Sequence, residues 1–111
     1  ALANAGECSA RAGQYGRVER DLREALRLEP GNALALGAMT QEAYRTGRFM
    51  EARAFSERRL AVARPTPGAL LLASQIEDKL GDSAAAARYV QRLRTEFPQA
   101  PTVQSGESSS P

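Results

Sequence analysis

The sequence predicts an all-α fold, a helix-turn-helix solenoid of three repeats and six antiparallel helices. Gly13, Gly47 and Gly81 are each 34 residues apart, and a helical pattern of about 14 residues follows each of them. Pro30 and Pro98 are two such periods apart. Glycine can end a helix in the left-handed conformation, and proline cannot continue a helix. Both residue types therefore mark the turns between the predicted helices.

The turn residues divide positions 1–100 into three predicted units. In the first unit, the turn in RAGQYGRVERDL separates two helices and LRLEPGN closes the unit. In the second unit, RTGRFMEARAFS and LAVARPT have the same two roles. The predicted units are 1–32, 33–66 and 67–100, and the six predicted helices cover about 2–12, 15–28, 33–46, 49–62, 67–80 and 83–96.

The third unit begins with PTPGALLLASQIEDKLGD, in which two prolines open a helix and Gly81 ends it. Asp82 is predicted to cap the next helix, because its carboxylate can accept from free backbone N–H groups. The apolar run GALLLA is far shorter than the ~20 residues that span a bilayer, so no transmembrane helix is predicted. The helical spacing predicts one apolar face composed of Ala69, Leu72, Ala73, Ile76 and Leu80.

The two ends of the chain support further expectations. The segment APTVQSGESSSP is rich in Ser, Pro and Gly, which predicts a disordered tail over 101–111. Ala1 falls close to the start of a repeat unit, so we expect further repeats upstream of this chain.

Charge and composition argue against several classes of function. The chain has a net charge of +2, and its basic and acidic residues alternate, as in RVERDLREALRLE. This pattern is typical of a solvated helix face and not of a phosphate-binding surface, so we expect no nucleic-acid partner. The chain has no His, and Cys8 is the only cysteine, which leaves a nucleophile without a base and a metal without a ligand cluster. We therefore predict no enzyme activity, no cofactor and no metal site.

The repeat resembles the tetratricopeptide repeat, or TPR, over about residues 1–100. The segment ALRLEPGN carries the resemblance, together with the small residues that let TPR helices pack closely. Arg59 departs from the pattern, because the family usually has Ala at that position. The small-residue positions are Gly6, Thr40 and Ser74 in the first helices and Val18, Ala52 and Ala86 in the second helices.

The TPR resemblance implies that a peptide or protein partner binds the concave face, which the first helices of the units line. The side chains at the family's groove positions are apolar, amide and charged, a mixture that suits an extended or amphipathic peptide. The predicted partner-binding residues are Leu34, Gln41, Tyr44, Arg45, Leu71, Gln75, Asp78 and Lys79.

Arg59 is predicted to pair with a carboxylate of a neighbouring helix, because a buried guanidinium needs a partner. Glu77 is the favoured partner and Glu42 the competing one. The alternative is that Arg59 extends its guanidinium to solvent.

About 50 residues at the C-terminal side of the repeats resemble the C-terminal repeats of the PilF/PilW family of type IV pilus biogenesis proteins. The matching segments are PTP at 65–67, IEDKLGD at 76–82 and RTEFP at 94–98. The resemblance implies an outer-membrane lipoprotein facing the periplasm, a pilotin that helps the pilus secretin subunit reach the outer membrane and assemble. The lipid anchor would lie upstream of this chain, and Cys8 is not the lipid-bearing residue.

Two other functions stay open. A generic cytoplasmic TPR adaptor could bind a chaperone tail, but Ala3, Glu7 and Ala38 occupy the positions where such adaptors place a Lys/Asn clamp. A regulatory TPR module of a larger protein would have a catalytic domain upstream. The upstream sequence would separate these functions from a pilotin.

Overall fold

A computed structural model describes residues 16–99, so the first predicted helix, Gly13, Cys8 and the predicted tail lie outside the described residues. Within 16–99 the protein is all-α, which confirms the predicted fold class. The ends of the last four helices lie within one residue of their predicted positions. The helices are α1 (16–28), α2 (Ala33–Arg45), α3 (Phe49–Val62), α4 (Pro67–Lys79) and α5 (Ser83–Glu96).

Two glycines form the tight turns inside the helical hairpins. Gly47 follows α2 with a φ of 80°, and Gly81 follows α4 with a φ of 82°. This is the left-handed conformation that glycine adopts without steric cost, so the predicted role of both residues is confirmed. The N–H of Arg48 then donates to the carbonyl of Ala43 and closes the end of α2.

Side-chain caps begin three of the helices. The side chains of Asn32, Thr66 and Asp82 accept from backbone N–H groups in the first turns of α2, α4 and α5, at 3.0, 3.1 and 3.0 Å. The predicted cap at Asp82 is therefore confirmed. Pro67 occupies the first turn of α4, where its missing N–H costs nothing.

The helices pack as two hairpins, α2 with α3 and α4 with α5, and α4 also contacts both helices of the preceding hairpin. Ala43, Ala52 and Ile76 form one core cluster between the hairpins. Burial follows the sequence period, because Leu36 and Leu70 are 34 residues apart and both are fully buried. This arrangement is a helical-repeat solenoid, in which each hairpin buries its apolar surface against the next.

The buried surface of α4 differs from the single stripe predicted for it. Ala73 and Ile76 are buried as expected, but the fully buried Leu70 was not among the predicted residues. The reason is that α4 contacts α2, α3 and α5 and therefore buries a wider arc than one i, i+3, i+4 stripe. The other predicted residues of the stripe are only half-buried: Ala69, Leu72 and Leu80.

None of the helices in the described part of the chain is long and apolar enough to cross a membrane.

Candidate functional site: the groove between α2 and α4

A groove with a volume of about 580 Å³ lies between α2 and α4, and two residues of α3 also line it. Small residues face it from both sides, Gly37 and Ala38 on α2 and Gly68 and Ala69 on α4. The two helices therefore leave space between them that larger side chains would fill.

Four of the eight predicted partner-binding residues line this groove: Leu34, Gln41, Leu71 and Gln75. Leu34 is 85% exposed, although a large apolar side chain gains free energy from burial. Gln41 and Gln75 are 34 residues apart and occupy equivalent positions on the two helices. Neither side-chain amide has a hydrogen-bond partner among the described residues, so both can donate to and accept from a ligand.

The other four predicted residues lie outside the groove lining, at the C-terminal ends of α2 and α4. Tyr44 is half-buried and meets the Phe49 ring edge-on, with 5.5 Å between ring centroids. Arg45 forms an ion pair with Glu42. The remaining two residues are exposed on the surface: Asp78 and Lys79.

Arg59 lines the groove but does not pair with either predicted carboxylate, so that prediction is wrong. Its Nη1 donates to the carbonyl oxygen of Arg64 at 3.1 Å. Glu77, whose side chain is 5% exposed, instead accepts from Nη2 and Nε of Arg53, at 2.6 and 3.1 Å. Glu42 is paired with Arg45.

Helix direction explains why Glu77 pairs with Arg53. Glu77 lies near the end of α4 and Arg53 near the start of α3, and these ends meet when successive helices run antiparallel. Arg59 lies six residues further along α3, about 9 Å at 1.5 Å per residue. It therefore reaches the turn before α4 and not the end of that helix.

Ser56 and Arg59 are the two groove residues from α3, and neither was predicted to bind a partner. The prediction followed the TPR groove positions, which lie on the first helix of each unit. The departure of Arg59 from the TPR pattern was a signal that could have found it. Nε of Arg59 lies 4.0 Å from the point where a Cβ on Gly37 would be, so the guanidinium lies close to the backbone of α2.

A cluster of charged side chains links α1 to the start of α3, away from the groove. Nη1 and Nη2 of Arg48 donate to the two carboxylate oxygens of Glu19 at 2.7 and 3.1 Å. Arg23 donates to the same carboxylate at 3.1 Å. Hydrogen bonds from Arg48 hold the pKa of the Glu19 carboxyl below its ordinary value of 4.5, and Arg23 adds to the shift.

No family model matches the sequence, and no curated protein matches it either. A solved structure does match. It is described as the crystal structure of PilW, a widely conserved type IV pilus biogenesis factor. The TM-score is 0.75 and the sequence identity 28%, over 92% of this chain and 47% of that one. The chain thus spans about half the length of this solved structure, and the protein that it resembles is described as a biogenesis factor.

Proposed function

We propose that this protein is a TPR scaffold of type IV pilus biogenesis, and that it binds the pilus secretin subunit in the groove between α2 and α4. The observation that carries the proposal is the similarity to PilW, with 28% identity across 92% of the chain. The 34-residue spacing of the turn glycines supports the TPR assignment. In this proposal, the described hairpins α2–α3 and α4–α5 belong to the units 33–66 and 67–100.

The chemistry of the groove fits a segment of polypeptide. Leu34 and Leu71 offer apolar surface, and burial of such surface contributes about 25 cal/mol per Å². Gln41 and Gln75 each offer a donor and an acceptor, which are the groups that an unpaired peptide backbone must satisfy. We propose that a longer partner segment extends from the groove along the C-terminal ends of α2 and α4, past Tyr44, Arg45, Asp78 and Lys79.

The resemblance to the PilF/PilW family supports a place for this interaction. We place the protein on the periplasmic face of the outer membrane, held there by a lipid anchor upstream of this chain. There it would help the secretin subunit reach the membrane and assemble into the pilus exit pore.

The test measures binding of the purified secretin subunit from the same genome by isothermal titration calorimetry. Leu34→Ala combined with Leu71→Ala should weaken binding at least tenfold, because each change removes apolar contact area in the groove. Leu28→Ala is the matched control, since Leu28 is 70% exposed and lies outside the groove. Helical circular dichroism should be unchanged in all variants.

The possible failures have different meanings. If the unaltered protein does not bind the secretin subunit, the proposed partner is wrong. If binding occurs but the double variant binds as tightly as the unaltered protein, the groove is not the interface. If Leu28→Ala weakens binding as much as the double variant, the interface extends over α1.

A further inference from the structure

The groove contains the guanidinium of Arg59, and only some of its N–H donors form hydrogen bonds with residues 16–99. Arg59 is half-buried, and its Nη1 donates to the Arg64 carbonyl. Its Nε and Nη2 have no hydrogen-bond partner among residues 16–99. Because an arginine carries five N–H donors in a planar fork, this side chain can still bind a carboxylate.

No acidic residue among residues 16–99 lines the groove and could neutralise Arg59. The two carboxylates that were candidates for this role are occupied, Glu77 by Arg53 and Glu42 by Arg45. The positive charge therefore faces a largely apolar groove, where screening by water is weaker than on an open surface.

A second polar group lies beside this charge. Ser56 precedes Arg59 by three residues on α3, so the two side chains lie on the same face of the helix. Ser56 lines the groove and is only 5% exposed, yet its hydroxyl has no hydrogen-bond partner in the described part of the chain. A buried hydroxyl without a partner costs free energy, which a ligand with an acceptor oxygen would recover.

We infer that Arg59 and Ser56 bind the carboxylate of an internal Asp or Glu side chain in the partner segment. This inference rests on the proposed function, because it specifies the chemistry of the segment that the groove accepts. The guanidinium supplies the charge and the hydroxyl supplies a further donor. Arg59 is thus the specificity-determining residue of the groove, and the flanking residues of the segment should be apolar to meet Leu34, Leu71 and Leu72.

The position of Arg59 favours an internal acidic residue over a C-terminal carboxylate. Arg59 approaches α2 at Gly37, and the groove continues past this point in both directions, to Leu34 and to Gln41. Gln41 lies seven positions after Leu34, about 10 Å along the helix at 1.5 Å per residue. An extended segment of about three residues covers that length at 3.3 Å per residue. A bound segment therefore continues beyond Arg59 in both directions along the groove, which places an internal side chain and not a chain end at Arg59.

The experiment selects random peptides displayed on phage against the unaltered protein and against Arg59→Met. The unaltered protein should enrich peptides with one Asp or Glu between apolar residues, and Arg59→Met should lose the preference for the acid. Arg58→Met is the matched control, because Arg58 is exposed and bonds to the Pro30 carbonyl outside the groove. It removes the same charge from the same helix and should keep the preference.

A selected peptide is then measured by calorimetry in a double-mutant cycle. Its Asp or Glu is changed to the amide, alone and in combination with Arg59→Met. Each single change should weaken binding about tenfold or more, as expected for a charge-assisted hydrogen bond, and the combination should weaken it no further. Additive losses, or an acid preference that persists in Arg59→Met, would overturn the inference. If Arg59→Met fails to fold, the affinities of the unaltered protein for the acidic peptide and for its amide variant still test the inference. Equal affinities for the two peptides would overturn it.

Binding of the secretin subunit tests the proposed function separately from the acid preference of the groove. If the library shows the acid preference but the secretin subunit does not bind, the inference holds and the proposed partner is wrong. If the secretin subunit binds and Arg59→Met changes neither its affinity nor the selected peptides, the proposed function holds and the inference is wrong.

Discussion

Replacing Leu36 by Ala tests the core that joins α1 to the first complete hairpin. Leu36 is fully buried and belongs to a cluster that contains Leu26 of α1 and Phe55 of α3. Leu34 lies two residues earlier on α2 and is 85% exposed. The same substitution at these two positions therefore removes the same atoms from opposite environments.

The expected magnitude follows from the burial. Leu36→Ala removes three buried carbon atoms, which at ~0.8 kcal/mol per methylene corresponds to ~2.4 kcal/mol of lost transfer free energy. The cavity that remains adds to this cost, so we expect the free energy of unfolding to fall by about 3–4 kcal/mol. Leu34→Ala should change it by less than ~0.5 kcal/mol, because the lost atoms already face solvent.

Urea denaturation followed by circular dichroism measures both changes. The slope of the transition should stay constant, because the surface exposed on unfolding is nearly the same in the variants. A cost for Leu36→Ala as small as that for Leu34→Ala would refute the packing of α1 and α3 around α2.

Three further predictions concern the turns and the ion pairs. Gly81→Ala should lower the free energy of unfolding by about 1–2 kcal/mol, because Gly81 has a φ of 82° and its Cβ would meet no other atom, which leaves backbone strain as the cost. Arg53→Met should destabilise the fold more than Glu77→Met in thermal unfolding, because only the first change leaves a buried carboxylate unpaired. The Glu19 carboxyl has a pKa below 4.5, so its contribution to stability is present above about pH 4.5 and is lost as the pH falls through the lowered pKa. The difference in free energy of unfolding between the unaltered protein and Glu19→Gln, measured by urea titration, should therefore decrease as the pH is lowered through this pKa.

Each of these predictions has its own control and contrary outcome. Gly68→Ala places a Cβ in open space within α4 and should not destabilise the protein, so an equal loss at Gly68 and Gly81 would contradict the argument from φ. An equal fall in melting temperature for Arg53→Met and Glu77→Met would show that the Glu77 carboxylate finds other partners when Arg53 is removed. A stability difference for Glu19→Gln that is independent of pH would show that packing, not charge, makes the contribution.

The sequence allowed the helices of the described region to be predicted because their signals are local. A helix ends where Gly47 or Gly81 adopts a positive φ, and it begins where Asp82 can accept from the next free N–H groups. These interactions involve residues within a few positions of one another, so their spacing in the chain already specifies them. The 34-residue period of those signals then predicted the repeated hairpins.

The candidate site could be predicted only in part. Leu34, Gln41, Leu71 and Gln75 were predicted from the TPR groove positions, and all four line the groove. Of these, Gln41 and Gln75 also repeat with the 34-residue period. Ser56 and Arg59 were missed as groove residues, because the TPR groove positions lie on the first helix of each unit and α3 is a second helix. The departure of Arg59 from the TPR pattern was the one sequence signal for either residue.

The choice of ionic partners and the width of the buried surfaces were decided by the tertiary structure alone. Glu77 could have met Arg59 or Arg53, and the direction and offset of α3 against α4 placed Arg53 within hydrogen-bond distance. Leu70 is fully buried because three other helices surround α4, whereas periodicity describes one stripe on an isolated helix. The sequence by itself determined where the last four helices begin and end, because capping and turn formation act over a few residues. The distances between side chains of different helices depend on how those helices are placed in space, so they were determined only by the assembled fold.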